Sequence, residues 1–202
     1  MKKFIIAIVL LVGLWSGAKA QDNVTSITYQ PSVPSGDLEE YIAKTSWLGW
    51  GIEGRHFRSP TSHFTLGFSF AWHVFDDRLT GTTQIEQGAI TGTQRRYVNS
   101  LPFLLTGNYY LSRKGQFKTY IGAGAGAYYI VQRLDIGVWK KEESNWHFGV
   151  EAEVGTQFPL GDIEGVVGIR YHYAFAAGET ISGVERDYQY ATVVVGLAYV
   201  RW

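Results

Sequence analysis

The sequence predicts an all-β protein, an eight-stranded antiparallel up-and-down transmembrane β-barrel, and three observations predict it. Apolar and polar residues alternate with a period of two through most of the chain, which sorts them onto two faces of a strand and onto no face of a helix. The connections alternate between short and long. The polar face is rich in Gly, Ala and Ser and poor in long charged side chains, which suits a narrow, crowded interior better than a surface facing water.

The first element is not a strand. Lys2 and Lys3 precede an apolar stretch from Phe4 to Leu14, and Ala18-Lys19-Ala20 supplies a small-x-small cleavage site, so residues 1–20 are expected to be a signal peptide and residues 21–202 the barrel domain. Removing that segment takes three lysines from a balance of 18 basic and 18 acidic residues, leaving 15 against 18 and a net charge of −3. This argues against nucleic acid as a partner. With no cysteine there is no disulfide framework, no thiolate metal site and no acceptor for a lipoprotein's lipid. No later apolar run is long enough for a membrane helix, so a membrane element must be β.

Eight strands follow, at about 24–33, 46–57, 62–75, 97–112, 120–131, 146–158, 165–176 and 188–201. In the third, Phe64, Leu66, Phe68, Phe70, Trp72 and Val74 share one face, opposite His63, Thr65, Gly67, Ser69, Ala71 and His73. The sixth sets Trp146, Phe148, Val150, Ala152, Val154 and Phe158 against His147, Gly149, Glu151, Glu153, Gly155 and Gln157. The seventh sets Val167, Ile169, Tyr171, Tyr173 and Phe175 against Gly168, Arg170 and His172. In the fifth, Gly122, Gly124 and Gly126 alternate with apolar residues, and are expected to make room for bulky neighbours such as Tyr120 and Tyr128. Pro102 within the fourth strand predicts a bulge. In the last strand Val193, Val195, Leu197 and Tyr199 form the apolar face, and the place of Trp202 is left open.

Short turns are expected at 58–62, 113–116 and 159–164, and long links at 35–45, 76–96, 137–145 and 177–187. Short links on one side and long ones on the other are the asymmetry of an outer-membrane barrel with periplasmic turns. Hydrocarbon offers no partner to an unpaired strand edge, so such a sheet must close. Aromatic residues near strand ends are expected as a lipid-facing girdle: Trp50, Phe64, Trp72, Tyr97, Tyr109, Tyr129, Trp146, Phe158, Tyr171 and Phe175. Within the first long link, residues 37–44 predict a short helix capped by Ser35 or Asp37, lying on the rim.

The runs Trp47-Leu-Gly-Trp-Gly-Ile-Glu-Gly-Arg55, Phe64-Thr-Leu-Gly-Phe-Ser-Phe-Ala-Trp72-His-Val-Phe75, Arg96-Tyr-Val-Asn-Ser-Leu-Pro102 and Tyr120-Ile-Gly-Ala-Gly-Ala-Gly126 resemble the small outer-membrane β-barrel family that includes OmpX-like and OmpW-like proteins. The resemblance covers nearly the whole chain after residue 20. It implies the cell outer membrane as location, outer-membrane lipid as surroundings and the barrel assembly machinery as a partner through the C-terminal strand. Many relatives end in Phe preceded by Tyr, and this chain departs with Tyr199-Val-Arg-Trp202.

The polar faces bring together a candidate lumen charge network: Glu53 and Arg55, Glu151 and Glu153, Arg170 and His172. Glu151 and Glu153 on one face repel unless Arg170 or Arg55 lies between them. An eight-stranded interior is just wide enough for side chains, so a neutralised plug is expected, with a proton or ion relay as the sharper alternative. His56, His63, His73, His147 and His172 show no metal-ligand spacing, and neither a metal nor a cofactor is expected. No catalytic residues are expected: the His-x-Ser-Asn motif of lipid A deacylases is missing, since Val74, Phe75 and Asp76 follow His73. The reading is a non-enzymatic barrel with an occluded lumen. It acts through its extracellular loops, with a possible extracellular partner there, or through envelope integrity. The alternatives are a narrow channel for small solutes, as the OmpW resemblance implies, and a lipid A-modifying enzyme. In the link 76–96, β-branched residues could extend the strands above the membrane and present an edge to a partner strand.

Overall fold

A computed structural model describes residues 23–57, 61–85, 88–112, 116–177 and 186–201. The expected signal peptide, most of the link 177–187 and Trp202 lie outside them. Nine strands and one short helix follow in order: β1 Asn23–Tyr29, β2 Ser32–Ser35, α1 Asp37–Tyr41, β3 Leu48–Phe57, β4 Phe64–Ile85, β5 Gly88–Tyr110, β6 Lys118–Ile136, β7 Trp139–Leu160, β8 Ile163–Ala174 and β9 Tyr188–Arg201. Sequential strands pair antiparallel, and β1 closes the ring on β9 from Asn23 opposite Arg201 to Tyr29 opposite Val195. β2 carries the same register further up β9, Ser32 opposite Thr192. The two are therefore one wall strand interrupted at Gln30-Pro31, where Pro31 has no N–H to give. The barrel is eight-stranded, as the alternation requires, and among the described residues no helix is long and apolar enough to cross a membrane.

Inside and outside follow the period of two. Thr65, Ser69, Ala71, His73 and Phe75 of β4 are buried in the lumen, while Phe64, Leu66, Phe68 and Trp72 face out. On β9, Val194 and Ala198 point in and Val193, Val195, Leu197 and Tyr199 point out, which settles the register of that strand. From Phe64 to Val74, ten steps of ~3.4 Å tilted by ~40° rise roughly 26 Å, the height of a hydrocarbon-facing band. This is an apolar exterior around a polar interior, the inverse of a soluble barrel, and it makes the fold a transmembrane one.

Four expectations need correction. The links expected at 76–96 and 137–145 are mostly strand: residues 76–85 and 88–96 extend the barrel upward, as their β-branched residues suggested, and 139–145 joins them, so β4, β5, β6 and β7 run on above the band as a four-stranded extension, with β6 and β7 joined at Gly137 and Val138. Thr, Ile and Gln alternating in 79–94 favour this, and turn residues such as Gly81 and Gly92 are absorbed within the strands. Pro102 produces no bulge: Phe70–Phe103 and His73–Ser100 keep one register on either side of a gap in the ladder, so only local pairing is lost. α1 is preceded by Gly36 at φ 56° and has no side-chain cap. It does not lie on the rim either, because Leu38, Tyr41 and Ile42 are buried in the barrel mouth against Phe75, Val98, Tyr188 and Tyr190.

Candidate functional site

The lumen is stacked in layers. At the top α1 and its neighbours form an apolar stopper, pinched at its base by Ser32 and Ser46, which exchange backbone hydrogen bonds of 2.8 Å each way. Below it lie His73, His172 and Tyr190, with His172 stacked on Tyr190 at 4.6 Å between ring centres and His73 at 5.0 Å. Then come the charges. A floor of Val24, Phe57, Tyr110, Tyr120, Val166, Val194 and Ala198 closes the layer beneath them. Lys118 and Glu164 form an ion pair at the lower end, beside a cavity of about 10 Å³, room for about one water.

Strands β3, β7 and β8 deliver the charged layer because each places two polar residues two positions apart on its inner face. Arg55 grips Glu53 with both ends of its guanidinium, Nε to Oε1 at 2.8 Å and Nη2 to Oε2 at 2.9 Å. Arg170 Nη2 donates to Glu53 Oε2 at 3.0 Å and to Glu153 Oε2 at 2.8 Å, so one guanidinium joins carboxylates from two strands. Glu153 Oε1 accepts a 2.7 Å bond from the Tyr120 hydroxyl, and Arg55 lies over the Tyr120 ring at 4.0 Å. Arg55 Nη1 donates to Tyr110, whose hydroxyl donates to Gln157.

Five of the six predicted network residues thus meet, with Arg170 between Glu151 and Glu153. Glu151 is held loosely: Arg170 Nη1 is 3.6 Å from its Oε2, His172 Nδ1 is 3.7 Å away, and that oxygen has no hydrogen-bond partner. His172 pairs instead with the Tyr128 hydroxyl, 3.0 Å from Nδ1, and belongs to the layer above. Glycines on the facing strands make this room; of those expected, Gly122 clears Asn108 and Gly124 clears Glu151, but the space for Tyr120 and Tyr128 comes from others. A Cβ at Gly155 would sit 2.5 Å from the Tyr120 hydroxyl and one at Gly149 2.5 Å from the Tyr128 ring. Sequence reasoning missed Tyr110, His73 and Tyr190 as partners, although each has the inward parity of its strand. Among the described residues no three His, Asp or Glu side chains come together as a metal site.

All ten expected girdle aromatics have outward parity. Trp50, Phe64, Trp72, Tyr109, Trp146, Tyr171 and Phe175 are exposed, and Tyr97, Tyr129 and Phe158 half-exposed. They touch across strands, as in Trp50 with Trp72 at 6.2 Å and Tyr129 with Trp146 at 5.0 Å. Above the band, Arg95 pairs with Asp76 at 2.9 Å and holds its carboxyl below the usual range, with Lys44 and Arg78 adding to the effect. At the mouth, burial pushes the Tyr41 phenol up to about 12 against the pull of Arg96 and Arg186, which lie over its ring at 5.0 and 5.3 Å.

No family model matches the sequence, and no curated protein matches it. Solved structures do. A major outer membrane protein of Thermus thermophilus superposes with a TM-score of 0.59 at 12% identity, over 89% of this chain and 99% of that one. Neisserial surface protein A gives 0.53 at 14%, over 93% and 100%. The fold is that of small outer-membrane barrels. The outer membrane protease OmpT of Escherichia coli also matches, at 0.50 and 10% identity over 89% and 96%. A protease shares this barrel with surface proteins, so the fold by itself selects no activity.

Proposed function

We propose that this chain is an exported outer-membrane barrel with a sealed lumen, non-enzymatic, which acts through the strands it raises above the membrane. Its charged residues of catalytic type, Glu53, Glu151, Glu153, Arg55, Arg170 and His172, are all buried between an apolar stopper and an apolar floor, out of reach of a substrate.

The observation that carries the interaction reading is the unequal treatment of the extension's two edges. β3 ends opposite Val74, so no described strand pairs with β4 on that side from Phe75 to Ile85. β8 ends opposite Gly149, and the Phe175 N–H reaches Phe148, so β7 is open from Trp139 to His147. The β7 edge carries Lys140, Lys141, Glu142 and Glu143, the charges that keep an edge from pairing. The β4 edge carries Asp76, Asp77 and Arg78 at its base but no charge over its upper part, from Leu79 to Ile85. Backbone donors and acceptors that no charge guards, as along Leu79 to Ile85, suit the addition of an extended segment of another polypeptide.

Two measurements test this. Residues 21–202 refolded into planar bilayers are expected to show no discrete openings, with leak appearing in the Glu151→Gln/Glu153→Gln variant. Stable openings in the unaltered chain would overturn the sealed lumen and favour a narrow channel. Selection of an eight-residue random peptide library on the reconstituted barrel should enrich β-branched sequences that a Thr80→Lys/Thr82→Lys variant no longer retains. Equal retention by that variant would remove the edge from the reading.

A further inference from the structure

The open edge of β4 is not uniform along its length. β3 stops opposite Val74, and the Ser46 hydroxyl donates to the Val74 carbonyl, so the edge is free only from Phe75 upward. A strand added there is kept from sliding lower, and its last residues meet Asp76, Asp77 and Arg78. By the period of two, Asp77 faces inward with Phe75 and Leu79, and Asp76 and Arg78 face outward.

Two of these three charges are left without a counter-ion. Asp77 lies opposite Arg96 on β5, yet Arg96 turns to the Tyr41 carbonyl at 2.9 Å and to Gln94 Oε1 at 3.3 Å. Arg78 lies opposite Arg95, a like charge, and Arg95 turns to Asp76 with Nε and Nη2, at 2.9 and 3.2 Å. Among the described residues neither Asp77 nor Arg78 enters an ion pair, and the Asp77 carboxylate accepts the Arg78 backbone N–H at 2.8 Å. The β7 edge differs here as well, since its Lys141 pairs with Glu143 of the same strand at 3.0 Å. With β5 engaged elsewhere, the side of β4 from which a counter-ion can come is the open one. Lys44, near Asp76 from the segment before β3, adds a cation to this group.

Residues directly opposite one another on antiparallel strands bring their Cβ atoms within about 5.5 Å, where opposite charges attract and like charges repel. Every strand pairing described in this barrel is antiparallel, and that pairing is the more stable per residue. A strand added in the same sense passes Leu79 first, then Arg78, then Asp77. We propose that the open β4 edge selects an extended polypeptide segment that runs antiparallel to it and carries an acidic residue followed at once by a basic one, the acid opposite Arg78 and the base opposite Asp77. The inference deepens the reading of β4 as a strand-accepting edge and rests on it. The uncharged stretch from Leu79 to Ile85 supplies backbone pairing that accepts many sequences, while the two charges at the base set register, direction and choice of partner.

The test measures binding of two end-blocked, fluorescently labelled octapeptides to residues 21–202 reconstituted in nanodiscs. Both begin with three Thr-Val repeats; one ends in Glu-Lys and the other in Lys-Glu, so that composition and net charge are equal and only the order of charges differs. The unaltered chain should bind the Glu-Lys peptide roughly tenfold more tightly, because reversing the order turns two cross-strand attractions into repulsions. An Asp77→Lys/Arg78→Glu variant should invert the preference, and Asp77→Asn/Arg78→Gln should bind both peptides alike. Electrophoretic migration reports whether each variant is folded; if the exchange variant is not, the neutral one decides, since it must lose the preference. Equal binding of the two peptides by the unaltered chain, a preference for Lys-Glu, or a preference that survives in the neutral or exchanged variant would each overturn the proposal. Binding of neither peptide by a folded, unaltered barrel would instead sink the strand-accepting edge, and this inference with it.

Discussion

The lumen is lined by all the strands of the barrel and the extension is built from four of them, and the two regions treat charge in opposite ways. Inside, Glu53, Arg55, Glu153 and Arg170 are almost completely shielded and bound to one another at 2.8–3.5 Å, so each depends on the others. Above the membrane, Asp76, Arg95, Arg133 and Asp135 make pairs of similar length that water reaches. Equal distances do not mean equal energies. A pair sealed from water is costly to break because the survivor is left charged and unpaired, whereas an exposed pair loses little, since solvent replaces the partner. The difference assigns stability to the lumen and leaves the extension free to change its partners.

The largest effect expected is therefore from Arg170. Arg170→Ala removes the donor shared by Glu53 and Glu153 and leaves two carboxylates facing each other in the lumen. Equilibrium unfolding in urea should show a loss of about 3–5 kcal/mol. Arg95→Ala should cost no more than a surface substitution does, and a comparable loss there would erase the contrast between the two regions.

The mouth comes next. Tyr41 keeps its proton up to about pH 12 in the folded chain, against about 10 for an exposed phenol. The folded state thus holds that proton more tightly. Its contribution is complete below pH 10 and is lost as pH rises from 10 to 12, on the order of 2–3 kcal/mol. Raising pH across that window should release α1, read as labelling of a cysteine placed at Glu39, and Tyr41→Phe should remove this part of the pH dependence. An unchanged profile in Tyr41→Phe would mean that another group holds the stopper.

Within the lumen the two neighbouring acids should differ. Glu153 takes bonds from Tyr120 and Arg170, at 2.7 and 2.8 Å, while Glu151 Oε2 takes none. Three carboxylates face two guanidiniums here, so the chain tolerates losing the less engaged one. Glu153→Gln should cost about 1–2 kcal/mol more than Glu151→Gln. Equal costs would show that Arg170 serves both acids alike.

How much of this was legible in the sequence depended on whether one period governed it. Phe64 to His73 and Trp146 to Gly155 alternate without interruption, and the faces they present, inner charges included, could be read before any coordinates. The network followed because Glu53, Arg55, Glu151, Glu153 and Arg170 share the parity of Gly and Ser residues. What stayed hidden were non-local matters. The β-branched residues between Asp76 and Arg96 hinted at strands rising above the membrane, but nothing local chose that over a Thr- and Gly-rich loop, since the pairing partner is the other half of the same segment. Leu38, Tyr41 and Ile42 read as a rim helix because nothing in the sequence says that the mouth is wide enough to take them. Gly149 and Gly155 rather than Gly122 and Gly126 make room for the tyrosines, since the register between β6 and β7 decides which residues face each other.

The smallest expected change in stability lies at the β4 edge, and it is the most informative about function. Thr80 and Thr82 are exposed, and Thr80 has only a long contact to Thr93, 3.5 Å across the hairpin. Their replacement by Lys should shift urea stability by no more than about 0.5 kcal/mol. The same change adds to this edge the kind of charge that already guards β7, and a bound strand tolerates such charge poorly. Capture of extended peptides should therefore fall while the barrel remains as stable as before. Moving the charges the other way, by Lys140→Thr and Lys141→Thr, should open the β7 edge to the same peptides. If the unguarded β7 edge captures nothing, charge is not what distinguishes the two edges, and the twist or height of β4 must be what selects a partner.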